Sequence, residues 1–226
     1  MNILAIDTAT PACAVGIRTG DGVEIVRVVD EHRRHTEVLT LAIRMLLDEC
    51  NLSPSDLSRV VVDRGPGLFT GLRVGVTSAT SLAQALGCEL VSVTSLELLA
   101  WGARDAGVRG TLVSVVDARR GEVFVQTFEL GEGAEEQGDP EVAFPHDVIA
   151  TWTKSALPIT FSGDGVERYR EAFAAVANGA VHPQRVPSMS AALALGSTRT
   201  PVASIAPLYL READAIANFS TRERSS

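Results

Sequence analysis

Lysine is almost missing from this sequence: Lys154 stands alone, and arginine supplies the rest of the positive charge. The 20 basic residues fall short of the 28 acidic ones, and the net charge is −8. That balance argues against this chain alone gripping a phosphate backbone, which takes a basic stripe. A role on nucleic acid shared with a basic partner stays open. Cysteine is also scarce. Cys13, Cys50 and Cys88 are far apart and form no C-x-x-C pair. That argues against a disulfide framework or a zinc site and fits a reducing cytoplasm. Each cysteine reads as a small core residue. No apolar run approaches the ~20 residues of a membrane helix. Met1 to Ile6 has no basic stretch of the kind that opens a secretory leader. No H-E-x-x-H or comparable ligand set occurs, so a metalloprotease is not expected.

What is present is an ordinary globular composition: 226 residues, 46% hydrophobic and 21% charged. One large domain or two small ones could each bury a core at that length. Asn2 to Ile6 is an apolar run ending in Asp7. Ala12 to Ile17 and Val23 to Val29 flank Gly20-Asp21-Gly22, as two strands joined by a tight turn do. The period then becomes helical from Thr36 to Cys50, with a stripe at Leu39, Ile43, Leu46 and Leu47. Ser53-Pro54-Ser55-Asp56 predicts a short capped helical turn. Arg59 to Asp63 predicts a buried strand, and Thr70 to Leu86 a helix with Thr70 as cap and Gly87 as terminator. Leu90 to Val93 and Ser95 to Arg104 repeat the pair.

A second round follows a linker at Gly102 to Gly110. Thr111 to Asp117 and Glu122 to Leu130 predict a hairpin, and Gly131 to Asp139 an acidic loop. Pro145 to Lys154 predicts a helix, Leu157 to Phe161 a strand and Val166 to Ala177 a helix. A final helix, Leu208 to Ala217, could cross back onto the first half. The order β-β-β-α-β-α-β-α is that of an α/β fold with mixed sheets under helices. The halves divide at 1–104 and 105–226.

Four segments could carry chemistry. In Asp7-Thr8-Ala9-Thr10, an aspartate and hydroxyls could hold a metal–phosphate group, or close a hairpin as an Asx-turn. Gly65-Pro66-Gly67-Leu68-Phe69-Thr70-Gly71-Leu72-Arg73 could offer backbone N–H groups to an anion. No lysine follows its last glycine, so it is not a Walker A loop, and a tight strand-to-helix turn is the stronger reading. Asp117-Ala118-Arg119-Arg120-Gly121-Glu122 reads as a charged hairpin turn that could also touch phosphate. Gly163-Asp164-Gly165 is a loop before a helix. His32 and His35 sit beside Arg33 and Arg34, which oppose a bound cation, so a solvated loop is expected there.

In this order, Asp7 to Thr10, Gly65 to Arg73, Asp117 to Val123, Gly163 to Gly165 and Pro207-Leu208-Tyr209-Leu210-Arg211 resemble the TsaB family. That family is a bacterial subunit of the machinery that makes threonylcarbamoyladenosine in tRNA, and the resemblance covers nearly the whole chain. It implies the actin-like, sugar-kinase-type (ASKHA) fold of two RNase H-like halves. It also implies a non-catalytic scaffold that pairs with the catalytic subunit TsaD, works with the ATPase TsaE, self-associates when alone and meets tRNA only through the complex. Leu68 departs from the family's usual serine, toward the catalytic relative. That relative's two metal-binding histidines would fall at Ser95 and Leu99 here, so the resemblance implies no metal site. No residue is assigned to catalysis. Asp7, Thr8, Thr10, Asp117, Gly163 and Asp164 would form a degenerate nucleotide cleft. Ala9 stands where a glycine admits phosphate, so the chain requires no cofactor and binds ATP or ADP weakly. The rival is an ATP-dependent kinase-like enzyme holding magnesium phosphate on Asp7 and Asp117.

The Thr36 to Cys50 helix also has a second apolar line at Val38, Leu41 and Met45. The next helix adds small residues at Gly75, Ser78, Ala79 and Ala83. Together these predict a helix-docking surface, and the resemblance implies that it takes the catalytic partner, or a second copy when that partner is absent.

Overall fold

The computed structural model describes residues 1–29, 35–155 and 157–211. Strands β1 (Ile3–Asp7), β2 (Cys13–Arg18) and β3 (Glu24–Val29) open the chain, followed by helix α1 (His35–Glu49) and a 3-10 turn at Pro54–Asp56. The turn is held by the expected reciprocal capping of Ser53 and Asp56. Strand β4 (Arg59–Asp63), helix α2 (Phe69–Leu86), strand β5 (Glu89–Val93) and helix α3 (Ser95–Asp105) complete the first half. The sheet order is β3-β2-β1-β4-β5. β1 pairs antiparallel with β2 and parallel with β4, so the C-terminal ends of β1 and β4 lie side by side.

The second sheet is built on the hairpin of β6 (Gly110–Arg119) and β7 (Glu122–Leu130). It adds β8 (Ala134–Glu136) and β9 (Glu141–Ala143), which both pair with β7, and then β10 (Ile159–Ser162) and β11 (Gly179–Val181). Helices α4 (Pro145–Thr153), α5 (Asp164–Arg168) and α6 (Arg170–Ala174) lie in this half, and α7 (Met189–Thr198) follows it.

Alternation along the strands divides the core into layers. Leu4, Ile6, Val60 and Val62 face α1 and α2. Ile3, Ala5, Val61 and Val91 face the other way, onto Leu98 of α3 and Met189, Ala192 and Leu193 of α7. In α3, Leu96, Leu99 and Ala100 pack instead on Leu112, Val116 and Phe128 of the second sheet. Beyond that sheet, Phe161 and Phe173 join α5 and α6 to it, with ring centroids 5.0 Å apart. Helix α3 is thus wedged between the two sheets and belongs to both cores.

Several boundaries differ from the sequence reading. Leu68, not Thr70, caps α2, because Thr70 is already inside the helix. The expected linker at Gly102 begins only after α3 ends at Asp105. The helix expected over Val166 to Ala177 is broken at Tyr169, whose φ of −115° leaves the helical range. Leu208 to Arg211 is irregular, and the rest of the expected last helix lies outside the described residues. The element that does cross back onto the first sheet is α7. His32 and the side chain of His35 also fall outside the description.

Candidate interlobe cleft and helix face

β1 and β4 each end in an aspartate, and the parallel pairing brings both carboxyls into the interior. Asp7 is fully buried; its Oδ1 accepts from the Ala9 amide at 2.7 Å, and its Oδ2 meets no donor. Asp63, also buried, accepts from the Gly65 amide at 2.8 Å and from the Ser95 hydroxyl at 2.6 Å. Burial, and then the Asp63 charge, push the Asp7 carboxyl well above the usual carboxylate range. Asp63 rises to about 6, chiefly through burial. Both buried carboxyls therefore bind a proton more readily than exposed ones do. Asp63 was not singled out in the sequence. The signal was there, in two apolar strands that both end in aspartate.

This pair makes a pH prediction. Both groups bind more protons folded than unfolded, so stability falls as pH rises from about 4 toward 6 and beyond. Asp7→Asn keeps an acceptor for the Ala9 amide and supplies a permanent donor to Asp63. Its melting temperature is expected to fall less than wild type's between pH 4.5 and 7. Parallel melting curves for the two proteins would refute the raised proton affinity of Asp7.

Above this pair, Thr10, Pro11 and Ala12 of the first half face Asp117, Asp164, Glu167, Arg168, Arg185 and Val186 of the second across a cleft of about 340 Å³. Of the expected cleft residues, the structure brings Thr10, Asp117 and Asp164 together here. Asp7 and Thr8 are buried instead. The Thr8 hydroxyl donates to the Gly71 carbonyl at 2.7 Å. Gly163 serves packing: a Cβ there would overlap the Val115 carbonyl. Asp164 accepts from the Asp117 amide at 3.0 Å, and burial pushes its carboxyl up to about 6. Asp117 faces Arg119 at 3.1 Å and Arg168 at 3.5 Å. The donor set suits a magnesium nucleotide poorly. Asp7 is buried and inaccessible, and Asp117 is already engaged by two guanidiniums.

The glycine loop is packing, not an anion cradle. Leu68 N–H donates to the Ala9 carbonyl at 2.7 Å, and a Cβ on Gly67 would overlap that same carbonyl. Gly67 is glycine because two backbones touch there. Ala9 has no exposed surface, and its methyl adjoins Gly67. It is therefore not the group that a phosphate in the cleft would meet, which corrects the reason given for weak nucleotide binding.

On α1, the inward stripe of Leu39, Leu46 and Leu47 is buried, whereas Leu41 is 60% and Met45 46% exposed. With Val38 and Ala42 they line a groove of about 470 Å³ beside the edge strand β3. The small residues of α2 do not join it. Ala79 and Ala83 are buried in the first core, and Gly75 faces the Thr8 hydroxyl, where a Cβ would clash. Helix α2 presents these residues to its own sheet because the strands beneath approach closely. Only Ser78 of the four is partly exposed.

Two packed sheets with α3 between them and a cleft at their junction define the actin-like ATPase class of α/β proteins. The chain shares that fold with a Bacteroides thetaiotaomicron protein of actin-like ATPase fold, at a TM-score of 0.51 and 12% identity over 85% of this chain and 95% of that one. A Pseudomonas aeruginosa crystal structure, described as an uncharacterized protein with similarity to peptidase YEAZ, matches with a TM-score of 0.81. Its identity is 27% over 93% of this chain and 99% of that one. A family model described as "TsaD: tRNA N6-adenosine threonylcarbamoyltransferase" matches residues 29–219. The Bacillus subtilis tRNA threonylcarbamoyladenosine biosynthesis protein TsaB is 31% identical over 97% of this chain and 98% of its own length. The chain belongs to the TsaB family, within the broader family that this model describes. Among the described residues, no helix is long and apolar enough to cross a membrane.

Proposed function

We propose that the chain is the non-catalytic partner subunit in threonylcarbamoyl transfer to N6 of the adenosine beside the tRNA anticodon. One observation carries this reading. The positions that correspond to the catalytic relative's metal-binding histidines are Ser95 and Leu99, and both have structural tasks. Ser95 holds Asp63 by its hydroxyl, and Leu99 is fully buried in the second core. Neither is free to bind a metal, and leucine has no donor atom. The same geometry counts against the kinase-like alternative, because Asp7 offers no accessible carboxylate. ATP and ADP bind weakly in this reading, and none is required by this chain.

The catalytic subunit, TsaD, docks on the line of Val38, Leu41 and Met45. The same line mediates self-association when that subunit is missing. TsaE joins the assembled pair, and the work is done in the cytoplasm. The test is tRNA modification with threonylcarbamoyl adenylate as donor and ATP for the ATPase. The chain alone is expected to give no threonylcarbamoyladenosine, and product is expected when the catalytic subunit and the ATPase are added. Product from the chain alone, or micromolar Mg-ATP affinity by calorimetry that is lost in Asp117→Asn, would overturn the proposal.

A further inference from the structure

A run of arginines leads from the interlobe cleft of this acidic chain to a pair of aromatic rings. Arg168 and Arg185 line the cleft itself, and Arg168 shares Asp117 with Arg119. Arg119 lies opposite Glu122 in the β6–β7 hairpin, and Glu122 in turn holds Arg211 at 2.6 Å. Two residues before Arg211, Tyr209 packs on Phe69 with centroids 4.9 Å apart. Arg73 covers the other part of that ring at 3.9 Å and donates to the Tyr209 hydroxyl at 3.2 Å. Each contact joins the next, so the edge is continuous from the cleft to the ring pair. Arg185 makes no ion pair among the described residues. Arg73, Arg119, Arg120, Arg168 and Arg185 are exposed, and Tyr209 is 41% exposed.

The hairpin turn within this edge is built against local preference. Arg119 and Arg120 both adopt left-handed backbone, at φ of 63° and 56°, and Gly121 follows at 86°. A two-residue turn of that shape favours Asn-Gly, because asparagine tolerates positive φ far better than arginine. Arginine is thus kept at this exposed turn against the backbone's own preference.

We propose that this edge is a direct contact surface for single-stranded RNA, with guanidiniums on phosphates and the Phe69–Tyr209 pair as a stacking platform for a base. An acidic protein partner would be served by the charges alone. The exposed tyrosine ring inside the cationic run favours a nucleic acid, since bases stack where arginines hold the backbone. The inference rests on the subunit reading above, which supplies the RNA: the loop of the tRNA that the complex modifies.

The experiment uses the reconstituted complex with its catalytic subunit and a fluorescein-labelled anticodon stem–loop RNA. Arg120→Asn restores the preferred turn, and Arg73→Gln uncovers the ring. In the double variant the affinity is expected to fall about tenfold. The slope of log K against log salt should shrink by about one to two, as for two lost phosphate contacts. KM for tRNA should rise while kcat holds, and Arg120→Asn alone should melt no lower than wild type. Unchanged affinity and KM would overturn the proposal. So would loss of subunit co-purification at unchanged RNA affinity, which would make the edge a protein contact. The subunit reading fails on a different result, namely the absence of product from the wild-type complex.

Discussion

Replacing Leu41 and Met45 together with aspartate is expected to abolish pairing with the catalytic subunit while the chain stays folded. The structure separates the two consequences. Both side chains are exposed on α1, opposite the stripe of Leu39, Leu46 and Leu47 that holds the helix to its sheet. The substitution therefore removes little of the chain's own core. Its cost to the fold is helix propensity, about 0.5 kcal/mol per site, which lowers the melting temperature by roughly 2–4 °C. In a dry interface the same two carboxylates would be buried without partners, at a cost of roughly 3–5 kcal/mol. That corresponds to a loss of affinity of about 10²–10⁴-fold. A pull-down with the catalytic subunit and a melting curve on the variant read the two effects separately. Retained pairing would remove α1 from the interface. A collapsed melting curve would contradict the exposure of Leu41 and Met45.

Elements with a local cause were legible in the sequence. β1 to β3, α1, β4 and α2 each carry their own period, cap or terminator, and Gly87 does close α2 in the left-handed conformation at φ 66°. The losses share a physical reason. β8, β9 and β11 are three residues each and owe their strand geometry to the neighbours they pair with. Helix α7 has no polar face to betray its period. Met189, Ala191, Ala192, Leu193 and Leu195 are all buried between the first sheet and α3, so the helix is apolar nearly all round. Ser188, whose side chain accepts from the Ala191 amide at 3.2 Å, was the available signal. Gly196 lies against Val61, and Arg59 reaches the Gly196 carbonyl, so even the helix's end depends on the first sheet. For the cleft, the sequence supplied Thr10, Asp117 and Asp164 but not the burial of Asp7 under Asp63. That depends on a parallel pairing between strands 56 residues apart, which no local pattern encodes.

Gly163→Ala is expected to be the most damaging single-methyl change at the cleft. Gly163 adopts φ 125° and ψ 172°, a region that residues with a Cβ rarely enter. Leaving it there costs roughly 1–3 kcal/mol in an alanine. The new methyl would also overlap the Val115 carbonyl oxygen and press on Leu99. Neither neighbour can yield cheaply. Val115 is fully buried in β6, paired with Val125 of β7, and Leu99 is fully buried in α3 between the sheets. Overpacking against such a wall adds roughly 1–3 kcal/mol. Together the terms predict a fall in melting temperature of about 10 °C for a chain of this size. Gly121→Ala provides the control. Gly121 also has positive φ, 86°, but a Cβ there meets nothing within 4 Å. It pays the backbone cost alone, so the difference between the two variants measures the contact with Val115 and Leu99. If both variants melt alike, Gly163 is a turn residue and nothing more. If Gly163→Ala melts several degrees lower, the glycine is what lets α5 approach β6 closely enough for Asp164 to accept from the Asp117 amide.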